Sequence, residues 1–233
     1  MKLNLLGAVV PNDVADFYDW FGIDNISPRK VSDALTEANG EDLEISINSG
    51  GGEVTSASQI YTELKQYSGK VTVNITGIAA SAASLISMAG DRVLISPTAQ
   101  LMVHNASFAA SGNNKDMAHY ADVLTKTNES IANAYVAKSG MTKDQALALM
   151  DSETWLTAED AVKYGLADNV LFSDEAEPVM MNSVVSLPSA EAIAKFKQLL
   201  AAGEANKVED VEPEPKAQEP SILQQKLQIL RGE

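Results

Sequence analysis

The chain has 233 residues, no cysteine, two histidines and a formal net charge of −15, with 45% apolar residues. That length gives one sizeable domain with a buried core and room for an appendage. The missing cysteine excludes disulfides, thiol nucleophiles and thiolate metal sites, and leaves His104 and His119 as the only imidazoles. The excess of 32 acidic over 17 basic residues argues against a nucleic-acid partner, because counterion release needs a basic face.

Residues 1–10 read as a first strand that ends in the turn Pro11-Asn12-Asp13. Asn4 interrupts the short apolar run and no small-residue cleavage site follows, so the segment is not a secretory signal. No stretch approaches the roughly 18 apolar residues that span a bilayer, so a soluble intracellular chain without a membrane partner is expected. Residues 43–47 alternate apolar and polar, as a half-buried strand does, and stop at Asn48-Ser49-Gly50-Gly51-Gly52. Ala57, Ile60, Tyr61 and Leu64 then recur at helical spacing, and Gly69 closes that helix. Residues 71–76 form a second β-rich run ended by Gly77. A small-residue helix is expected over 79–89, then two short strands over 92–96 and 100–104 around Pro97. This alternation predicts an α/β fold with a largely parallel sheet.

From 114 to 138 the pattern is helical but mixed in polarity, which suits a long helix that projects from the body or packs on another subunit. Thr142 is placed to cap a further helix, residues 157–165 form a short capped helix, and 166–170 read as a last strand. The character changes after Phe172. A partly helical extension is expected over 173–203, an acidic Pro/Glu-rich linker over 204–220 and an amphipathic peptide over 221–233. Residues 1–172 form the principal domain.

Four features carry chemistry. The glycine run 50–52 between a strand and a helix permits positive φ and close backbone approach to a ligand, although a flexible turn explains it equally well. It matches neither the phosphate loop nor the dinucleotide fingerprint. Ser81 lies just past a strand, at the first turn of a small-residue helix, where helix N–H groups face a developing anion. A simple cap or packing role competes there, and Ser84, one turn further in, reads as packing. His104 ends a strand at the edge where parallel sheets present functional groups; a structural imidazole is its competing reading. His119, on the polar helix, reads as solvated. Asp151 and Glu153 supply carboxylates able to orient an imidazole. Together these are the parts of an acyl-transfer site: nucleophile, base, acid and backbone donors. No metal or cofactor is implied.

Four blocks then resemble, in order, those of the Clp protease proteolytic subunit family. They are Ile47-Asn48-Ser49-Gly50-Gly51-Gly52-Glu53-Val54, Gly77-Ile78-Ala79-Ala80-Ser81-Ala82, Leu101-Met102-Val103-His104, and the run from Trp155 to Asp168. The resemblance covers residues 5–172. It implies a crotonase-like α/β spiral of strand–helix units with a protruding handle helix, and a serine peptidase with Ser81 as nucleophile and His104 as base. It also implies Gly51 and Ala82 N–H groups as the oxyanion hole, and heptameric rings stacked through the helix at 114–138.

Gly50 stands where the family commonly has proline, and the catalytic acid position falls on Glu153, with Asp151 as the alternative. The stretch from Asp16 to Asp24 is similar to the Clp-like proteases of phages and prophages. That similarity implies polypeptide substrates among capsid or scaffold proteins, in the bacterial cytoplasm or in assembling heads. Whether an unfoldase docks is left open. Two other readings stand beside the peptidase: an acyl-CoA enzyme on the crotonase fold, and a non-catalytic assembly protein.

Overall fold

The structure is a computed structural model that describes residues 1–173 and, beyond them, Lys195 alone. The expected extension, acidic linker and terminal peptide beyond Ser173 lie outside the described residues. One mixed sheet carries the fold. In chain order its main strands are β1 (Lys2–Val9), β2 (Asn25–Ile26), β3 (Leu43–Gly52), β4 (Val71–Ala80) and β5 (Arg92–Ile95). They are followed by β6 (Gln100–Val103), β7 (Thr154–Leu156) and β8 (Asn169–Val170). The order across the sheet is β2-β1-β3-β4-β5-β8, all parallel, while β6 pairs with β4 and β7. Leu43, Ile45 and Ile47 of β3 and Val71, Val73 and Ile75 of β4 are fully buried, which is the alternation expected of the core strands.

The helices are α1 (Asn12–Trp20), α2 (Pro28–Ala38), α3 (Val54–Gln66) and α4 (Ala82–Ser87), then α5 (Asn114–Ser139), α6 (Lys143–Asp151) and α7 (Ala158–Lys163). Ser27 caps α2, whose first residue is proline, and Asn39 ends it in the left-handed conformation. Helix α3 packs between α2 and α4, and α4 lies on β3 and β4. Asn113 and Asp116 close a capping box at the start of α5, and Gly140 ends it with a positive φ. Burial on α5 begins only at Ile131, with Ala132, Ala134 and Tyr135, so its first half presents no buried side chain. Asp168 ties the end of the domain together, accepting from Val93 N–H at 2.6 Å and from the Lys138 ammonium at 2.6 Å.

Two details depart from the sequence pattern. Strand β3 does not stop at Asn48; it runs through the glycines, with Gly51 and Gly52 paired to Ala8 and Val9 of β1. Strand β4 likewise runs to Ala80, so the expected helix over 79–89 is confined to α4. The reason is that β4 changes partner midway. Its residues 72–75 pair with β5, whereas Ile78, Ala79 and Ala80 pair with Gln100, Leu101 and Met102 of β6. A strand that serves two neighbours must extend past the glycine that separates its two halves.

Candidate active site

The change of partner along β4 brings the chemistry together. Ala80 pairs with Met102, so the chain leaves β4 at Ser81 beside the end of β6, and Ser81 N–H donates to Met102 C=O at 2.9 Å. On the other side of β6 the antiparallel register sets Val103 against Thr154, which brings His104 and Glu153, one step beyond, to the same end. Two pairings, one between residues 22 apart in sequence and the other between residues 51 apart, therefore converge on one point.

Ser81 Oγ and His104 Nε2 are 2.8 Å apart. Ser81 sits at φ 55°, ψ −122°, in the region where a non-glycine residue is strained, immediately before α4. Its carbonyl accepts from Ser84 N–H at 3.0 Å and Leu85 N–H at 3.2 Å. Ala82 N–H, at the first position of α4, has no intrahelical acceptor and points out at the helix start. A Cβ built on Gly51 would lie 2.9 Å from Ala82 N, 2.8 Å from Ser81 Cβ and 2.5 Å from Ala80 C=O, so the Gly51 backbone abuts the Ser81 turn directly. Gly51 has φ 94°, and its N–H donates to Ser49 Oγ at 3.1 Å, which in turn donates to Gly7 C=O at 2.6 Å.

The two carboxylates separate. Glu153 Oε2 lies 3.9 Å from His104 Nδ1, longer than a hydrogen bond, and its side chain is 61% exposed. Its other oxygen accepts from the Trp155 indole N–H at 3.4 Å. Asp151 instead accepts from the Asn105 amide at 2.7 Å, so it engages the neighbour of His104 rather than the imidazole. Asp151 ends α6 and Glu153 immediately precedes β7. His119 is exposed on α5, away from this cluster.

Ser84 has a part that its spacing did not suggest. It is fully buried, donates to Ser81 C=O at 2.6 Å and lies 2.8 Å from the Tyr135 hydroxyl of α5. A small pocket beside Ser81 and His104 has a largely apolar lining of Val54, Leu85, Ala106, Ile131 and Tyr135, with Asn105 at its polar side. A larger groove between α3 and α5 shares Val54, Leu85 and Ile131 with it. Among the described residues no group of three or more acidic or histidine side chains is placed to hold a metal ion, and no helix is long and apolar enough to cross a membrane.

Helix α3, which follows the glycine run, is capped by Glu53. Its carboxylate accepts from Ser56 N–H at 2.6 Å, Thr55 N–H at 2.9 Å and the Thr55 hydroxyl. Burial alone would raise the Glu53 pKa, but the hydrogen bonds from Ser56 and Thr55 outweigh it and hold the group down from 4.5 to about 2. A carboxyl depressed in the folded state stabilises it above the unfolded pKa, and that stability is lost as pH falls from 4.5 to about 2. Urea unfolding at about pH 6 and about pH 3 is expected to show a smaller pH difference in Glu53→Gln than in the unaltered chain. An equal difference would contradict the capping account.

A parallel-stranded α/β spiral that ends two strands on a bonded serine and histidine, with a helix start and a glycine backbone alongside, defines a crotonase-like chain with the groups used in acyl transfer. The Clp protease family model matches residues 32–174. The ATP-dependent Clp protease proteolytic subunit 1 of Chlamydia abortus is 28% identical over 181 residues, covering 73% of this chain and 94% of that protein. That of Chlamydia muridarum is 32% identical over 138 residues, covering 58% and 72%. The ATP-dependent Clp protease proteolytic subunit of Bacteroides fragilis is 34% identical over 134 residues, covering 57% and 65%. This chain belongs to the Clp protease family, a family of peptidases.

Proposed function

We propose that the chain is a serine endopeptidase that cleaves polypeptides through an acyl-enzyme. Ser81 is the nucleophile, His104 the general base, and Gly51 and Ala82 supply N–H groups to the oxyanion. The observation that carries this reading is the 2.8 Å contact between Ser81 Oγ and His104 Nε2 at the start of α4. His104 takes the Ser81 proton as Oγ attacks the scissile carbonyl, and returns it to the leaving amine as the C–N bond breaks. Water, deprotonated by the same imidazole, then attacks the ester and releases the acid and Ser81. Gly51 N–H exchanges the Ser49 hydroxyl for the oxyanion when substrate arrives. The apolar pocket beside Ser81 receives the side chain that precedes the cut.

Glu153 orients His104 in this reading, because Asp151 is engaged by Asn105. An exposed carboxylate 3.9 Å away contributes less than a buried, bonded one. Glu153→Ala is therefore expected to lower kcat on a fluorogenic peptide by about tenfold to a hundredfold, short of the roughly 10⁴-fold loss when a buried triad acid is replaced. Asp151→Ala is expected to stay within about threefold of the unaltered enzyme. If the larger loss follows Asp151→Ala, the assignment passes to Asp151.

Capsid or scaffold proteins in the bacterial cytoplasm or in assembling heads are the proposed substrates. The support is the stretch from Asp16 to Asp24, where Phe17, Trp20 and Phe21 form an exposed aromatic cluster on and just after α1, and the acidic Pro/Glu sequence of 204–220. The acting form is a homo-oligomeric ring, heptameric as in the family, with α5 projecting between stacked rings. Incubation with peptides and with a candidate capsid protein, followed by mass spectrometry, tests this reading. New termini that a fluorophosphonate suppresses support it. No cleavage of any peptide, or thioester turnover without serine labelling, overturns it.

A further inference from the structure

The chemistry of Ser81 depends on a turn that the chain must hold in a strained conformation, and the side chains that hold it come from two helices. Ser81 N–H is fixed by Met102 C=O at 2.9 Å. Its carbonyl is fixed by Ser84, whose hydroxyl donates to it at 2.6 Å. Ser84 has one proton, and it is used there. The 2.8 Å contact between Ser84 Oγ and Tyr135 Oη is then a bond in which the tyrosine donates. The result is a directed chain, from Tyr135 O–H to Ser84 Oγ–H to Ser81 C=O, in which each bond polarises the next. Ser84 is fully buried and Tyr135 nearly so, so water cannot substitute for either partner. Burial pushes the Tyr135 hydroxyl up to about 12, against the bond to Ser84, and the group stays a donor throughout the working range of a histidine base.

Tyr135 lies on α5 one turn past Ile131, where burial of that helix begins, whereas Ser84 lies on α4. We propose that Tyr135 is a positioning residue for the nucleophile: through Ser84 it sets the Ser81 turn, and with it the direction of Oγ and of Ala82 N–H, according to where α5 sits. This rests on the reading of Ser81 as the nucleophile. Tyr135 touches no reacting atom in this role; it acts only through Ser84. Through this chain, movement of α5 relative to α4 changes the reactivity of Ser81, and Tyr135→Phe, which keeps the ring against the pocket, isolates that effect from substrate affinity.

The test is the saturation kinetics of Ser81 labelling by a fluorophosphonate, followed by intact-mass and peptide mapping, on the full chain. Tyr135→Phe keeps the ring in the pocket and removes only the donor. It is expected to lower the maximal labelling rate about tenfold, with the half-saturating probe concentration unchanged within twofold. In Ser84→Ala the tyrosine hydroxyl is left without a partner, so the Tyr135→Phe/Ser84→Ala double variant, which leaves no orphaned group, serves as the second measurement. Because Tyr135 acts only through Ser84, the double variant's rate is expected to match that of Ser84→Ala rather than fall by the product of the two single losses. Measured well below each variant's unfolding midpoint, a merely structural role moves the midpoint and leaves the labelling rate alone. A maximal rate within twofold of the unaltered protein in both Tyr135→Phe and the double variant overturns the proposal. Absence of label on Ser81 in the unaltered protein overturns the nucleophile reading itself, and this proposal with it.

Discussion

Ser81→Ala is expected to reduce peptide hydrolysis to background, a loss of about 10⁵-fold or more, as found when a hydrolase loses its serine nucleophile. The substitution removes one atom. Alanine carries the same Cβ, so the strained turn at φ 55° is no harder to hold than it is with serine. Its N–H still donates to Met102 and its carbonyl still accepts from Ser84. What disappears is the Oγ that His104 Nε2 meets at 2.8 Å, and His104 is open enough to solvent for water to take the vacated place. The thermal midpoint is therefore expected to move by no more than about 4 °C, the shift that one hydrogen bond of about 1 kcal/mol produces in a domain of this size. Hydrolysis rates and thermal scans on the same preparation separate chemistry from folding. Activity within tenfold of the unaltered chain would remove Ser81 from the mechanism.

The second large effect is expected at Gly51, and here sterics carry the argument. A Cβ at this position would stand 2.5 Å from Ala80 C=O, 2.8 Å from Ser81 Cβ and 2.9 Å from Ala82 N. Two of those neighbours are backbone atoms in the turn that presents Ser81, and they cannot move without moving it. The φ of 94° is also closed to an L-residue with a side chain. Gly51→Ala must therefore displace either its own peptide or the Ser81 turn, and both are parts of the proposed oxyanion hole. Loss of one such donor costs about 10²–10³ in kcat, and overpacking a tight site costs about 1–3 kcal/mol in stability. Gly50→Ala is the matched control. A Cβ there meets nothing within 4 Å, and its φ lies outside the left-handed region. It is expected to leave activity within about twofold. Equal losses in the two variants would mean that the glycine run serves flexibility and not the close approach at Gly51.

Much of the fold was legible in the residues because the signals were local. The alternation over 43–47 and the β-rich run over 71–76 mark β3 and β4, and the Asn113 and Thr142 regions mark the starts of α5 and α6. Helices α1 and α2 were not legible. Helix α1 buries only Ala15 and leaves Phe17 and Trp20 in solvent, so its apolar residues do not mark a core face. The local pattern reads glycine as a stop, but β3 and β4 both run past it: Gly51 pairs with Ala8 inside β3, and Gly77 lies inside β4 where that strand passes from β5 to β6.

At the site, Ser81 and His104 were readable from their places after strands, and the geometry brings them together. The resemblance puts the acid on Glu153 with Asp151 as the alternative; the register of β6 against β7 sets Glu153 at the end of the strand beside His104, while Asn105 engages Asp151. Spacing did not reveal Tyr135, whose partner Ser84 is 51 residues away.

The central claim is that Ser81 is a nucleophile activated by His104. Reaction of the unaltered chain with a fluorophosphonate, followed by mass spectrometry of the intact protein and of its peptides, tests it most directly. One adduct per chain, located on Ser81 and lost in His104→Ala at neutral pH, is the result predicted. An unmodified chain, or an adduct on another residue while Ser81 stays free, would contradict the account.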